Sequence, residues 1–206
     1  HVRLLLPQPG VAPAWPTVLA DGRLQWMAGK DRLVRRTYTI SAINIEESWI
    51  EIDALLHQAP TGTPDDSPGA SWAASAAPGS EVGVLSPAGG LVHHAAHRVL
   101  VADACALPAA ARMVAAQPAG HTAHVLLWVA DAQERPAFAA VPNTSVTWLY
   151  GGRPGATQLE IAQVLQWLGQ QNWQSADTAL WVAGGLPLAQ AVRGWVAGQP
   201  ALAGVR

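Results

Sequence analysis

The chain has 206 residues, half of them hydrophobic, and a formal net charge of −2, enough for one or two domains with a substantial core. At this net charge no basic surface argues for nucleic acid. The single cysteine, Cys105, excludes an internal disulfide framework and a cysteine-ligated iron–sulfur cluster, and no apolar run is long enough to span a membrane. Nothing resembles a signal peptide, so a cytoplasmic monomer is expected.

The first part reads as strands. An apolar strand is expected over 2–6 and a hairpin over 17–26, turning at Asp21-Gly22, a two-residue turn signal. Two further strands are expected over 37–44 and 49–57, the latter with Ile50, Ile52, Ala54 and Leu56 on one face. Alternation puts Arg36, Tyr38 and Ile40 on one side and Thr37, Thr39 and Ser41 on the other. Residues 59–69, rich in Pro, Gly, Thr and Asp, read as an exposed loop. A short helix follows over 69–77 and a strand over 81–85.

The second part alternates strand and helix. Strands are expected over 98–103, 123–130, 145–150 and 179–184, and helices over 107–117, 157–170 and 187–197. Pro108 suits the first turn of its helix. Ile161, Val164, Leu165 and Leu168 follow the i, i+3, i+4, i+7 spacing of an amphipathic helix. Such alternation implies a doubly wound parallel sheet that binds ligands beyond the carboxyl ends of its strands, here Asp103, Trp128 to Ala130, Tyr150-Gly151 and Ala183-Gly184-Gly185. The domains are expected to span 1–92 and 97–206.

Several residues carry candidate chemistry. An arginine binds phosphate bidentately and a tyrosine stacks on or bonds to a flat heterocycle, which suits Arg36, Tyr38 and Thr39 to a dinucleotide. An ordinary barrel strand with a surface arginine gives the same pattern. Gly69, Ala70, Ser71 and Trp72 open a helix whose N–H groups suit a pyrophosphate, a role compatible with a simple N-cap at Ser71. His57 reads equally as a strand-end histidine or a cofactor contact. His93, His94 and His97 have metal-compatible spacing only in a helix and lack acidic or cysteine partners, so they read as a solvated linker. Cys105 reads as buried and inert, and the tryptophans, Trp167 and Trp195 among them, mostly as core.

In order and spacing these segments resemble the siderophore-interacting protein family of FAD-dependent ferric-siderophore reductases, within the ferredoxin-reductase-like superfamily. The resemblance runs through Arg36-Thr37-Tyr38-Thr39, Leu56-His57, Ala70-Ser71-Trp72-Ala73, Pro78-Gly79, Asp103-Ala104-Cys105-Ala106-Leu107-Pro108 and Trp181-Val182-Ala183-Gly184. It implies an antiparallel flavin-binding β-barrel, N-terminally incomplete, followed by a doubly wound NAD(P)-binding domain. FAD is the implied cofactor, NADPH or NADH the donor, and a ferric siderophore the acceptor. The implied cofactor residues are Arg36, Tyr38, Thr39, Ser41, His57, Gly69, Ala70, Ser71, Trp72, Asp103 and Gly184. Arg3 and Arg112 are the implied contacts for an anionic siderophore, against the plain reading of surface arginines.

The chain departs from the family pattern at Ser41, Ala102, Ala104, Cys105 and Gly185, mostly where the nicotinamide nucleotide is expected, and both ends look short. The alternatives are an NAD(P)H:flavin or ferredoxin-type oxidoreductase with another acceptor, or a non-catalytic flavin- or siderophore-binding homologue.

Overall fold

The computed structural model describes residues 1–27, 29, 33–56, 67–85, 95–135, 138, 141–151, 158–173, 177–202 and 205. The chain divides into two compact units, His1–Gly90 and Leu91–Arg206.

The first unit is built on antiparallel sheets. Strand β1 (Val2–Pro7) is central in a three-stranded sheet, between β4 (Leu33–Tyr38) and β7 (Gly83–Leu85). Its apolar run is buried on both faces. Val2, Leu4 and Leu6 enter one cluster with Tyr38, Ile40 and Trp72. Leu5 faces the other way, where a Cβ on Gly83 would lie 3.0 Å from Leu5 Cβ, so a glycine is required for β7 to approach. Each such leucine or valine contributes about 1.5–3 kcal/mol by leaving water. Helix α1 (Pro68–Ser75) packs on β1 and β4.

Strands β2 (Thr17–Val18) and β3 (Leu24–Gln25) form the expected hairpin, with a different turn. Gly22 N–H donates to Leu19 O at 2.9 Å and Leu19 N–H to Arg23 O at 2.8 Å, with Gly22 at φ +80°. Ala20, Asp21 and Gly22 thus make a three-residue loop with glycine in the left-handed position, where the sequence predicts a two-residue turn. Asp21 ties this loop, accepting from Arg23 N–H and pairing with its guanidinium at 2.6 Å.

The predicted strand over 37–44 is two strands. The ladder with β1 ends at Tyr38, and β5 (Ile40–Asn44) starts a separate sheet with β6 (Trp49–Ile52). Pairing changes partner at Thr39, while Tyr38 and Ile40 still pack on one cluster, as the alternation predicts. The strand expected over 49–57 ends at Ile52, and Ile50 is exposed.

The second unit is the expected doubly wound parallel sheet. Strands β8 (His97–Asp103), β9 (Thr122–Val129), β10 (Thr144–Tyr150) and β11 (Thr178–Ala183) lie in the order β10-β9-β8-β11, all parallel. Alternate residues serve two cores. Leu100, Ala102, Val125 and Leu127 pack with Ala110 and Val114 of α2 (Leu107–Ala115). Val99, Val101, Leu126 and Trp128 pack with Val164 and Leu168 of α3 (Gln158–Gly169) and Leu188 and Val192 of α4 (Leu186–Ala197). Trp167 and Trp195 are half-buried against this second core. Chain order reverses on either side of β8, so the switch point lies between β8 and β11.

Candidate functional site

In the first unit the candidate residues gather where α1 begins. Directly paired residues of an antiparallel ladder share a face, and Arg36 pairs with Leu4 and Tyr38 with Val2. Arg36 and Tyr38 therefore sit on the face that α1 covers. A Cβ on Gly69 would collide with the Tyr38 hydroxyl and lie 3.4 Å from Arg36 Cγ. Only glycine lets the first turn of α1 approach these two side chains so closely. Gly69 and Ala70 are buried at positions whose N–H groups have no acceptor within the helix. Arg36 is exposed; its Nη1 donates to Arg35 O at 2.9 Å, and no carboxylate among the described residues pairs with it.

The remaining calls fall at varying distance from this point. The helix starts at Pro68 with Ser67 at its N-cap, so Ser71 is not the cap. Its N–H donates to Ser67 O at 3.0 Å. Thr39, at the break between strands, is hydrogen-bonded through Oγ1 to His1 Nδ1 at 3.1 Å. Ser41 is half-buried in β5. Trp72 packs on Val2, Leu4 and Leu6 and lines a cleft toward the carboxyl end of α1. Arg3 pairs with Thr37, which puts it on the opposite sheet face from Arg36 and Tyr38. His57 lies outside the described residues, as do His93, His94 and the 59–66 part of the loop.

In the second unit Asp103 and Gly184 meet at the switch point. A Cβ on Gly184 would lie 3.1 Å from Asp103 Oδ2 and 3.0 Å from Leu188 Cδ2. Asp103 Oδ1 accepts from Cys105 N–H at 3.0 Å, capping the turn Ala104–Ala106. Contrary to expectation Cys105 is an exposed residue. Its thiol is nevertheless pushed up to about 11, by desolvation and then by the neighbouring Asp103 carboxylate, so it stays protonated near neutral pH. Arg112 is exposed in the last turn of α2, where a cation favours the helix dipole.

The sequence reading names Trp128 and Gly151 as strand ends but misses Glu160, which joins them at the carboxyl end of β10. Gly151, at φ +136°, donates its N–H to Val129 O at 3.2 Å and accepts from the Trp128 indole N–H. A Cβ on it would lie 3.4 Å from Oε1 of Glu160, a carboxylate residue only 6 % exposed. The available signal was the spacing Glu160, Val164, Leu168, which puts an acid on a buried row of α3. His97, expected in a solvated linker, instead opens β8 and bonds Thr122 Oγ1 through Nδ1 at 2.6 Å. Burial, and secondarily His124, whose ring lies 5.2 Å away, push its pKa down. No group of three or more His, Cys, Asp or Glu suited to a metal ion occurs among the described residues.

The chain thus joins a unit of antiparallel sheets, with an exposed guanidinium beside a glycine-opened helix start, to a unit built on a doubly wound parallel sheet with an acid at its switch point. The chain belongs to the siderophore-interacting protein family. Residues 1–91 match the profile of the siderophore-interacting FAD-binding domain, and residues 95–203 that of the siderophore-interacting protein domain. A siderophore utilization protein from T. fusca is 30 % identical, with a TM-score of 0.79 over 97 % of this chain and 73 % of that one. The siderophore-interacting protein SipS from Aeromonas hydrophila shares the fold at 24 % identity, with a TM-score of 0.75 over 95 % of this chain and 70 % of its own. Among curated proteins the ferric vibriobactin reductase ViuB of Vibrio cholerae is 23 % identical over 170 residues, 82 % of this chain. The chain spans 59 % of that relative's length.

Proposed function

We propose that this protein is an FAD-dependent ferric-siderophore reductase, drawing electrons from NADPH or NADH. The observation that carries the reading is the packing of Gly69 on Arg36 and Tyr38, which sets an amide-rich helix start beside a guanidinium and a phenol in a domain matching an FAD-binding profile. FAD, when bound, supplies the passage of electrons from the nicotinamide donor to Fe(III), which then leaves the oxygen-rich chelator as Fe(II).

The residues of the chain bind and orient. Arg36 and the N–H groups of Gly69 and Ala70 would hold the pyrophosphate, with Ser71 assigned to the same end of the cofactor. Tyr38 and Thr39 border the flavin ring, with Ser41 and His57 assigned to the same cofactor. Trp72 supports α1 from the core side. In the second unit Asp103 and Gly184 shape the crevice for the nicotinamide nucleotide. Arg3 and Arg112 are assigned to attraction of the anionic siderophore, through long-range charge. Chemistry of this kind needs no general acid or base from the protein.

The test is spectroscopic. The FAD-loaded protein is treated anaerobically with NADPH and, separately, NADH, then with a ferric catecholate siderophore and an Fe(II)-trapping chelator. Bleaching of the flavin band followed by its return with stoichiometric Fe(II) supports the reading. A flavin reduced by dithionite but by neither nucleotide favours a second reading, a flavin- or siderophore-binding homologue without a nicotinamide site. One observation favours that alternative: Asp103 is already engaged in capping the turn at Cys105, beside the departures at Ala102, Ala104 and Gly185.

A further inference from the structure

We propose that the cleft at the carboxyl end of α1 binds an organic cation, an alkyl guanidinium or alkyl ammonium group. This open cleft of about 360 Å³ lies within the first unit, walled by Pro7, Pro9 and Pro13, with Trp72, Ser80 and Glu81 completing it. It is separate from the Arg36 and Tyr38 end of the helix, since an eight-residue helix is about 12 Å long. The proposal therefore does not depend on flavin binding.

The charged group and the helix end at the cleft point to positive charge, while Gln8 and the Ser80 hydroxyl can serve either sign. The last-turn carbonyls of a helix carry about half a negative charge, and α1 has no basic residue in its last turn to offset it. The backbone donors at the helix end and the Ser75 hydroxyl are already engaged. Ala76 N–H bonds Trp72 O at 2.8 Å, Ser75 Oγ donates to Ser71 O at 2.8 Å, and Ser80 N–H bonds Ala77 O at 2.9 Å. Ala77 N–H is satisfied by Ser80 Oγ at 3.0 Å. The prolines have no N–H. Glu81 is exposed and adds a full negative charge, and no described residue lining the cleft is cationic. The Trp72 indole supplies the aromatic surface that attracts an alkylated cation more than a neutral molecule of the same shape. A neutral ligand would gain the apolar walls but leave Glu81 and the helix end without a counter-charge.

The test uses the whole chain, ¹⁵N-labelled, at fixed ionic strength, titrated with butylguanidinium and with butylurea, its neutral isostere. Butylguanidinium is expected to shift the Trp72 indole and the Ser80 and Glu81 amide signals saturably, with a Kd of about 1 mM or tighter, and butylurea to bind at least about tenfold more weakly. Glu81→Gln, a change at an exposed position, is expected to abolish most of that difference. N-acetyl-arginine amide and spermidine, run in parallel, separate a polypeptide side chain from a free polyamine as the source of the cation. Equal binding of the urea, shifts that never saturate, or a Glu81→Gln variant that keeps the full preference would each overturn the proposal.

Discussion

The Asp103 carboxylate fills the space that a side chain at Gly184 would need: a Cβ there would lie 3.1 Å from Asp103 Oδ2. The two residues belong to adjacent parallel strand ends, β8 and β11, with Ala102 and Ala183 in register just before them. Absence of a side chain at one position permits a charge at the other, within the crevice where an open α/β sheet binds its ligand.

Gly184→Ala tests that relationship. The new methyl must displace Asp103 or Leu188, at a cost of about 1–3 kcal/mol in stability. Nicotinamide-nucleotide affinity, measured by titration of the flavin-loaded protein, is expected to fall about tenfold or more, with flavin content unchanged. Wild-type affinity in a stably folded variant would remove Gly184 from the nucleotide site.

At the other site, Arg36→Ala is expected to weaken FAD retention by about 10- to 100-fold, the scale of losing hydrogen bonds to a charged group. Gly69→Ala is expected to do the same indirectly, by driving α1 off Tyr38. The ratio of flavin to protein absorbance after gel filtration reads both. Arg3→Ala, on the opposite sheet face, is expected to keep full flavin content.

Cys105 should behave as an unreactive thiol despite its exposure. With its pKa at about 11, alkylation by iodoacetamide at pH 7 is expected to be slow and to rise about tenfold per pH unit. Asp103→Asn removes the adjacent charge and is expected to lower the thiol pKa and speed alkylation. A reaction rate that plateaus near pH 8.5 would contradict the assignment.

His97 makes folding pH-dependent. Its folded-state pKa lies below the ordinary histidine value because burial disfavours the cation. The neutral form is therefore the one the fold prefers. Stability is fully present above the unfolded pKa, about 6.5, and is lost as pH falls below it toward the folded-state value. The slope from this one proton does not exceed about 1.4 kcal/mol per pH unit. Urea unfolding at pH 7.5 and at pH 5 is expected to show this loss, and His97→Gln to reduce it.

Much of the second unit was legible in the sequence. Its strands are short apolar runs, its helices keep their periodicity, and Pro108 marks a helix start, all set by residues near one another in the chain. Glu160 shows where reading stopped short: it stands on the buried row with Val164 and Leu168, yet its role beside Gly151 depends on a strand end brought there by the sheet. The first unit was less legible, because its strands pair across the chain. The break at Thr39 follows from Tyr38 ending the ladder with β1 while Ile40 pairs with Ile52. No local pattern records that exchange of partners.

By itself the sequence determined the residue types available to each site, the fold class of each half, and the glycines at positions 69 and 184. Tertiary structure alone decided that Gly69 lies against Tyr38, that Arg3 turns to the opposite sheet face from Arg36, and that Asp103 meets Gly184. Periodicity and turn chemistry act over a few residues. Strand order and register arise only when distant segments bury their apolar faces together, and those pairings determine which side chains meet.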